Sequence, residues 1–111
     1  MYYLKKTLEI SGAHHLNLNY ESDCKNPHGH NWKITVYCRS LKLDSNGMVV
    51  DFTTIKKIVN KLDHVNINEV FHLNPTAENI SMWLCNQIPH CYRVTVQETT
   101  GNEVSYEKDR N

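Results

Sequence analysis

The sequence predicts an α+β fold in which a four-stranded antiparallel sheet carries two helices on one face. Apolar and polar residues alternate in two segments near the N-terminus and in two near the C-terminus, as is typical of half-buried strands. Two central segments instead repeat their apolar residues at helical spacing. The predicted order is therefore strand, strand, helix, helix, strand, strand (ββααββ), in one domain over residues 1–111.

The first strand is predicted over residues 2–14 and the second from about residue 28 to 43. One face of each strand is apolar, and both apolar faces end in histidine. The residues that share these faces are Leu4, Leu8, Ile10 and His14 in the first strand, and His28, His30, Trp32, Ile34, Val36 and Cys38 in the second. The Asn46-Gly47 dipeptide then favours a turn before a short apolar stretch.

The first helix is predicted to start after Asp51, a good N-cap residue, and to end near Asp63-His64. A second helix begins around Pro75 and Thr76 and stops at Pro89. Two closing strands are predicted at residues 92–99 and 103–107, joined across Gly101-Asn102.

Composition limits the classes of partner. Twelve Lys and Arg residues balance twelve Asp and Glu residues, so there is no basic excess for nucleic acid or for an anionic membrane. No apolar run approaches the roughly 20 residues that span a bilayer, and we expect a soluble, cytoplasmic protein. A small-molecule partner is predicted, together with self-association through the open sheet edges and faces of so small a chain.

Three histidines predict a metal site. His28 and His30 lie two residues apart in a strand, so their imidazoles point to the same side. If the first two strands pair in antiparallel fashion, His14 lies beside them, and Gly29 permits close backbone approach. Three imidazoles with a fourth position open suit catalytic zinc, although iron and copper also accept imidazole. The alternative is that these histidines are ordinary polar residues at strand ends. His15 is predicted to point to the other face of the strand, away from His14.

Cys24 is the cysteine predicted to have a chemical role. We expect all four cysteines to be reduced, with Cys38 and Cys85 explained by core packing, whereas Cys24 lies in a polar loop. Lys25 and a nearby metal would favour its thiolate form, which can act as a base. A role as fourth, structural zinc ligand stays open.

Two further acidic positions are candidates. Asp63 and His64 are adjacent where the first helix should end, and an aspartate that orients an imidazole makes it a better acid or base. A solvated helix end is the ordinary alternative. Glu98 continues the apolar face of Val94 and Val96, where its charge needs donors: two N–H groups of an aminopyrimidinone edge, or an Arg or Lys partner.

Taken in order, these positions resemble the 6-pyruvoyl-tetrahydropterin synthase and 6-carboxy-tetrahydropterin synthase family over nearly the whole chain. The three-residue gap between Cys24 and His28 resembles that of the bacterial carboxy-type enzymes. The matching segments are Ala13-His14, residues 24–30, residues 47–52, residues 62–64, residues 75–79 and residues 96–99.

The resemblance implies the T-fold, in which trimers close a barrel and two trimers stack as a homohexamer with active sites at subunit interfaces. It implies Zn²⁺ held by His14, His28 and His30. Cys24 would be the catalytic proton acceptor, Asp63, His64 and Glu98 a proton relay, and Glu98 the pterin anchor. Thr76 and Thr99 lie where family members contact the pterin ring.

The activity implied is that of a lyase on the route to queuosine. It converts 7,8-dihydroneopterin triphosphate to 6-carboxy-5,6,7,8-tetrahydropterin, acetaldehyde and triphosphate. The alternatives are a 6-pyruvoyl-tetrahydropterin synthase and a zinc-stabilised pterin-binding module without catalysis. The family pattern has Phe, Ala and Arg where this chain has Ile10, Gly12 and His15. No residues that would bind the triphosphate can be assigned from the sequence.

Overall fold

A computed structural model describes residues 1–109 of the chain as one sheet packed on helices. The sheet has five strands in the spatial order β3-β1-β2-β4-β5. In chain order the strands and helices are β1 (Tyr2–His14), β2 (His28–Ser40), α1 (Phe52–Val59), β3 (Val65–Asn66), α2 (Ile67–Val70), α3 (Ala77–Gln87), β4 (Cys91–Thr99) and β5 (Asn102–Glu107).

The β1–β2 pair forms the centre of the sheet. The two strands are antiparallel along their whole length, from the pair Tyr2 and Ser40 to the pair His14 and His28. β4 pairs with β2 and with β5, again in antiparallel fashion. Because the register is fixed by which residues face the core, it also fixes which side chains meet where β1 ends and β2 begins.

The core lies between the sheet and one layer of helices, as predicted. The alternating apolar residues of β1, β2 and β4 meet Ile55 and Val59 of α1 and Ile80 and Leu84 of α3 in a single buried cluster. Asp51 caps α1 by accepting from the backbone N–H of Thr53, and Thr76 caps α3 by accepting from that of Asn79. These caps satisfy backbone donors that the first helical turn leaves free.

The predicted count of four strands and two helices is wrong. The additional strand, β3, has two residues and runs parallel to the end of β1, opposite Gly12 and Ala13. The additional helix, α2, has four residues and is capped by Asn66. Neither element is long enough to display a hydrophobic period, which is the signal that the prediction requires. The order is therefore ββαβααββ.

Several predicted boundaries also shift. α1 ends at Val59, and a 3₁₀ turn over Asn60–Leu62 carries the chain to Asp63. β2 ends at Ser40, three residues earlier than expected. The chain then turns at Gly47, whose φ of 80° suits glycine. No helix within residues 1–109 combines the length and apolar character needed to cross a bilayer.

Candidate metal and catalytic site

Three imidazoles and one carboxylate converge at the end of the β1–β2 ladder. His14 ends β1, and His28 and His30 begin β2, so the register places their rings side by side. The fourth member is Glu98, near the end of β4. One potential ligand atom from each of these residues lies within 4.8 Å of the others, and this group could hold a metal ion.

Backbone carbonyls orient two of the rings. The Nδ1 atom of His14 lies 2.8 Å from the carbonyl oxygen of Pro75, and that of His28 lies 2.7 Å from the carbonyl oxygen of Asn26. A carbonyl oxygen can only accept, so Nδ1 carries the proton in both rings and Nε2 presents its lone pair. This is the arrangement in which an imidazole binds a metal through Nε2.

Two of the three Nε2 atoms are buried at this site. Within residues 1–109, those of His14 and His30 are shielded from water and have no hydrogen-bond partner of good geometry. Oxygen Oε1 of Glu98 approaches the Nε2 atoms of His14, His28 and His30 to 3.3, 3.9 and 2.7 Å. Buried nitrogen lone pairs without donors are costly, and a cation would satisfy them together with the carboxylate.

Burial affects the protonation of this group. Desolvation lowers the pKa of His14, and the hydrogen bond with Pro75 only partly opposes the effect. Desolvation also lowers the pKa of His30, against the opposing charge of Glu98. Both imidazoles therefore favour the neutral form, which is the form that ligates a metal.

Trp32 packs against two of the three histidines. Its ring lies edge-on to those of His14 and His30, with centroid separations of 4.8 and 5.2 Å. Its indole N–H donates to the carbonyl oxygen of Gly12 over 3.1 Å, which fixes the ring on the core side of the sheet. The sequence predicts Trp32 only as a residue of the apolar face, because its contacts with the histidines depend on the fold.

Cys24 lies at the edge of the same site. It belongs to a 3₁₀ turn over Asp23–Lys25, and its carbonyl oxygen accepts from the N–H of Leu16 over 2.7 Å. The half-buried thiol faces a cavity of about 390 Å³. Lys25 instead places its ammonium 3.3 Å from Glu21. The cavity is lined by Asp23, Cys24, His28, His30, Glu98, Thr99 and Asn102.

Glu98 reaches the histidines from an irregular part of β4. The register of the β4–β5 pair shifts between Gln97 and Thr99, so Glu98 lies at a bulge. A bulge redirects a side chain locally, and here the carboxylate is on the same side as the three rings. Its closest ionisable neighbours among the described residues are histidines, and no Lys or Arg pairs with it there.

Asp63 and His64 lie outside the cluster of three histidines and Glu98. Asp63 accepts from the backbone N–H of Ser11 over 2.8 Å, and the N–H of His64 donates to the carbonyl oxygen of Ser11. The His64 side chain is 80% exposed, and its Nε2 atom lies 3.6 Å from Asp63. It lines a second cavity with Ala13, Asn31 and His30. Ala13 and Asn31 alternate with the three histidines along β1 and β2, so their side chains point to the opposite sheet face.

The φ angle of His64, 55°, is in the left-handed region. This conformation costs a non-glycine residue about 1 kcal/mol or more, so the surrounding contacts impose it. Two hydrogen bonds with the Ser11 backbone hold this segment: the N–H of His64 donates to the Ser11 carbonyl oxygen, and the Asp63 carboxylate accepts from the Ser11 N–H. Asp63 and His64 thus form an adjacent carboxylate and imidazole in which the backbone is held by Ser11 and the imidazole is exposed.

The two predicted pterin-contacting threonines have different settings. Thr99 lines the Cys24 cavity and accepts from the side-chain amide of Asn102 over 2.7 Å. Thr76 caps α3 directly after Pro75. Gly29 does not have the close approach suggested for it, since an added Cβ would meet nothing within 4 Å among the described residues.

Comparison with known proteins places these features in a family. The family described as 6-pyruvoyl tetrahydropterin synthase matches residues 3–109. The chain is 31% identical over 121 residues to 6-carboxy-5,6,7,8-tetrahydropterin synthase of Synechocystis, covering 96% of this chain and 93% of that protein. A Pyrococcus horikoshii relative is 45% identical over only 58 residues, 52% of this chain and 36% of that protein.

A solved structure shares the fold over nearly the whole chain. It is 6-pyruvoyl tetrahydropterin synthase of Caenorhabditis elegans, with a TM-score of 0.75 and 26% identity. The match covers 97% of this chain and 96% of that one. The T-fold implied by the sequence landmarks therefore applies to this chain.

Proposed function

The chain belongs to the 6-pyruvoyl tetrahydropterin synthase family, and from this we propose that it is a zinc-dependent lyase of the carboxy type. Its substrate would be 7,8-dihydroneopterin triphosphate, and its products 6-carboxy-5,6,7,8-tetrahydropterin, acetaldehyde and triphosphate. The observation that carries the proposal is that three imidazoles and a carboxylate converge, and that two of these imidazoles and the carboxylate line one cavity with Cys24. We place the enzyme in the cytoplasm, on the route to queuosine.

The donor set fits zinc. His14, His28 and His30 would supply three neutral nitrogen ligands and leave further positions for substrate. Bound there, zinc would act as a Lewis acid toward the side-chain hydroxyls of the substrate and make the adjacent carbon-bound protons more acidic. The buried Nε2 atoms without partners favour this ion over a water-filled site.

Cys24 is the base that we propose on the cavity side. Its thiolate would take a proton from the substrate side chain, from a position next to His28 and His30. Glu98 would bind the two adjacent N–H groups of the aminopyrimidinone ring, with Thr99 beside it. Thr76, at the start of α3, would make a further contact to the ring.

Asp63 and His64 would work from a neighbouring subunit. Within one chain this dyad opens on the sheet face opposite the imidazoles. A homohexamer built from two trimers could bring the dyad of one copy to the Cys24 cavity of the next. Asp63, fixed by Ser11, would orient His64, and His64 would move protons on the side of the substrate opposite Cys24.

The nearest alternative is the sister activity, 6-pyruvoyl-tetrahydropterin synthesis. It is the activity named for the Caenorhabditis elegans structure, whose fold this chain shares. The two reactions use the same elimination and differ in whether the three-carbon side chain is kept. A pterin-binding module with structural zinc would bind the pterin ring and catalyse no reaction.

One experiment separates these functions. Zinc-loaded protein is incubated with 7,8-dihydroneopterin triphosphate, the pterin is identified by mass spectrometry and acetaldehyde is assayed. A 6-carboxy product with acetaldehyde supports the proposal, and a 6-pyruvoyl product assigns the sister activity. No turnover by a folded, zinc-replete oligomer would contradict both.

The Cys24→Ala variant is the matched control. It should lose turnover and keep its zinc, because Cys24 lies outside the cluster of potential metal ligands. Loss of zinc from this variant would instead assign Cys24 as a structural ligand. Chelation adds a second control: unfolding on zinc removal favours the module, and retained folding with loss of turnover favours the enzyme.

A further inference from the structure

Three cysteines meet at the end of the sheet far from the histidines. Cys38 lies near the end of β2, Cys85 in the last turn of α3, and Cys91 at the start of β4. All three are buried free thiols, and we call them the thiol cluster. The histidines lie at the opposite end of β2 and Glu98 at the opposite end of β4, so the proposed catalysis does not use this cluster.

Cys91 is the centre of the cluster. Its sulfur lies 3.4 Å from that of Cys85, and it is paired with Cys38 across the β2–β4 ladder. Side-chain contacts with Cys38 and Cys85 lower the pKa of Cys91 to about 4, whereas the contacts with Cys91 and burial raise the pKa values of the other two thiols. Cys91 is therefore the thiol that ionises first and is the better nucleophile.

The backbone holds Cys85 and Cys91 together. The five residues between them leave α3 and turn directly into β4. The N–H of Cys91 donates to the carbonyl oxygen of Ile88, and that of Arg39 donates to the carbonyl oxygen of His90. His90 has a φ of 60°, which makes the turn tight. The two sulfurs lie 3.4 Å apart, so they must approach by about 1.4 Å to reach the length of an S–S bond.

We propose that Cys85 and Cys91 form an intrachain disulfide when the protein reacts with hydrogen peroxide. The Cys91 sulfur attacks the peroxide, so an S–O bond forms, the O–O bond breaks, and the leaving oxygen departs as water after protonation. Cys85 then attacks the Cys91 sulfur; the S–S bond forms, the S–O bond breaks, and a second water leaves with the Cys85 proton. Overall, each thiol loses one proton and one electron to the hydrogen peroxide.

The disulfide would join the end of α3 to the start of β4. Cross-linking removes conformations from the unfolded chain, and this loop is short, so the effect is moderate. We expect the melting temperature to rise by roughly 5 to 10 °C. The Cys24 cavity is at the other end of β4, so the modification is expected to leave metal content unchanged.

The positions of Lys and Arg allow a clean test by peptide mapping. Trypsin places Cys85 and Cys91 together in residues 62–93, Cys38 in residues 34–39 and Cys24 in residues 7–25. Folded protein is treated with hydrogen peroxide, quenched, alkylated in denaturant and digested. We expect residues 62–93 to carry no alkyl group and to be lighter by two hydrogen masses than the reduced, unalkylated peptide, with full alkylation restored by prior reduction.

Other outcomes would overturn the proposal. Full alkylation of residues 62–93 would show that no disulfide forms, and a cross-link between residues 34–39 and 62–93 would assign the bond to Cys38. Gain of oxygen at Cys91 without a disulfide would show that Cys85 does not resolve the sulfenic acid. The map uses the wild-type chain and so does not depend on a variant that folds.

Variants add a matched comparison. Cys38→Ala should still form the disulfide and show the rise in melting temperature on oxidation, whereas Cys85→Ala should show neither. A rise in melting temperature in Cys85→Ala equal to that of the wild type would contradict the assignment.

Discussion

The Nδ1 atom of His14 lies 2.8 Å from the carbonyl oxygen of Pro75, which ties the last residue of β1 to the segment that begins α3. Pro75 precedes Thr76, the N-cap of that helix. The position of α3 on the sheet and the orientation of a candidate metal ligand are therefore coupled. A carbonyl partner of this kind fixes both the tautomer and the ring plane.

We predict that His14→Gln weakens metal binding by more than about 100-fold, because it removes one of three nitrogen ligands and the group that Pro75 orients. Metal affinity is measured by competition with a chromophoric chelator. His72→Gln is the matched control, since His72 is exposed and lies outside the cluster of potential ligands. Wild-type affinity in His14→Gln would rule out the proposed ligand set.

Gly12→Ala is predicted to destabilise the protein by about 1 to 2 kcal/mol, because the added methyl group overpacks a tight contact. A Cβ at Gly12 would lie 3.0 Å from Cδ1 of Ile67 and 3.1 Å from the carbonyl oxygen of Leu62. The free energy of unfolding is measured by urea denaturation.

Gly29→Ala is the control for that substitution. Gly29 lies opposite Ala13 in the same ladder, and an added Cβ there has open space around it among residues 1–109. We expect the free energy of unfolding of this variant to fall no more than about 0.5 kcal/mol below that of the wild type. Equal losses at the two glycines would contradict the packing explanation. The departure of Gly12 from the Ala frequent in the family thus has a structural reason.

The meeting of the three histidines was predictable because strand parity is a strong constraint. His28 and His30 share a face with Trp32 in any strand, and antiparallel pairing then places His14 directly opposite His28. The same parity predicts that Glu98 lies on the apolar face of Val94 and Val96, but its approach to the three imidazoles was not predicted. The long strands and helices were predictable for a similar reason, since each shows several repeats of its hydrophobic period.

Other parts of the site produce no pattern in the sequence from which they could be predicted. The partner of His14 is the backbone carbonyl of Pro75, and a carbonyl is present in every residue type. The two-residue strand β3 has no period. The sequence also placed Asp63 and His64 at a helix end without indicating which sheet face they take, because that depends on the 3₁₀ turn before them and on the Ser11 contacts.

The metal-free protein is predicted to lose stability as the pH falls below about 6.5, because the unfolded chain then binds protons that the folded chain resists. Desolvation lowers the pKa values of His14 and His30 from their ordinary value of 6.5, so protonation favours the unfolded state. The loss begins near that value and continues down through the lowered pKa values. Urea denaturation in the presence of a chelator, from roughly pH 7.5 to 5.5, measures it.

The double variant with His14→Gln and His30→Gln should show a flatter pH dependence, and His72→Gln should keep the wild-type slope. A metal-free wild-type protein that becomes more stable on acidification would contradict the desolvation of these rings. The range stops above the pH at which most carboxylates titrate, so the slope reports mainly on histidine.

Mixing two inactive variants tests whether the dyad acts across a subunit interface. Cys24→Ala lacks the cavity base and His64→Ala lacks the dyad imidazole, and each homo-oligomer should be inactive. If the site takes Cys24 from one copy and His64 from another, co-refolded mixtures contain complete sites. Random association at equal amounts gives roughly one quarter complete sites, and about that fraction of wild-type turnover.

The control is a mixture of Asp63→Ala with His64→Ala. Asp63 and His64 lie 3.6 Å apart in the same chain. Every chain in this mixture lacks one of the two side chains, so no oligomer contains an intact dyad. This mixture should stay inactive. If the Cys24→Ala and His64→Ala mixture also stays inactive while its oligomers form, the dyad must serve the cavity of its own chain. That would require a rearrangement bringing His64 from one sheet face to the other, against the two backbone contacts with Ser11.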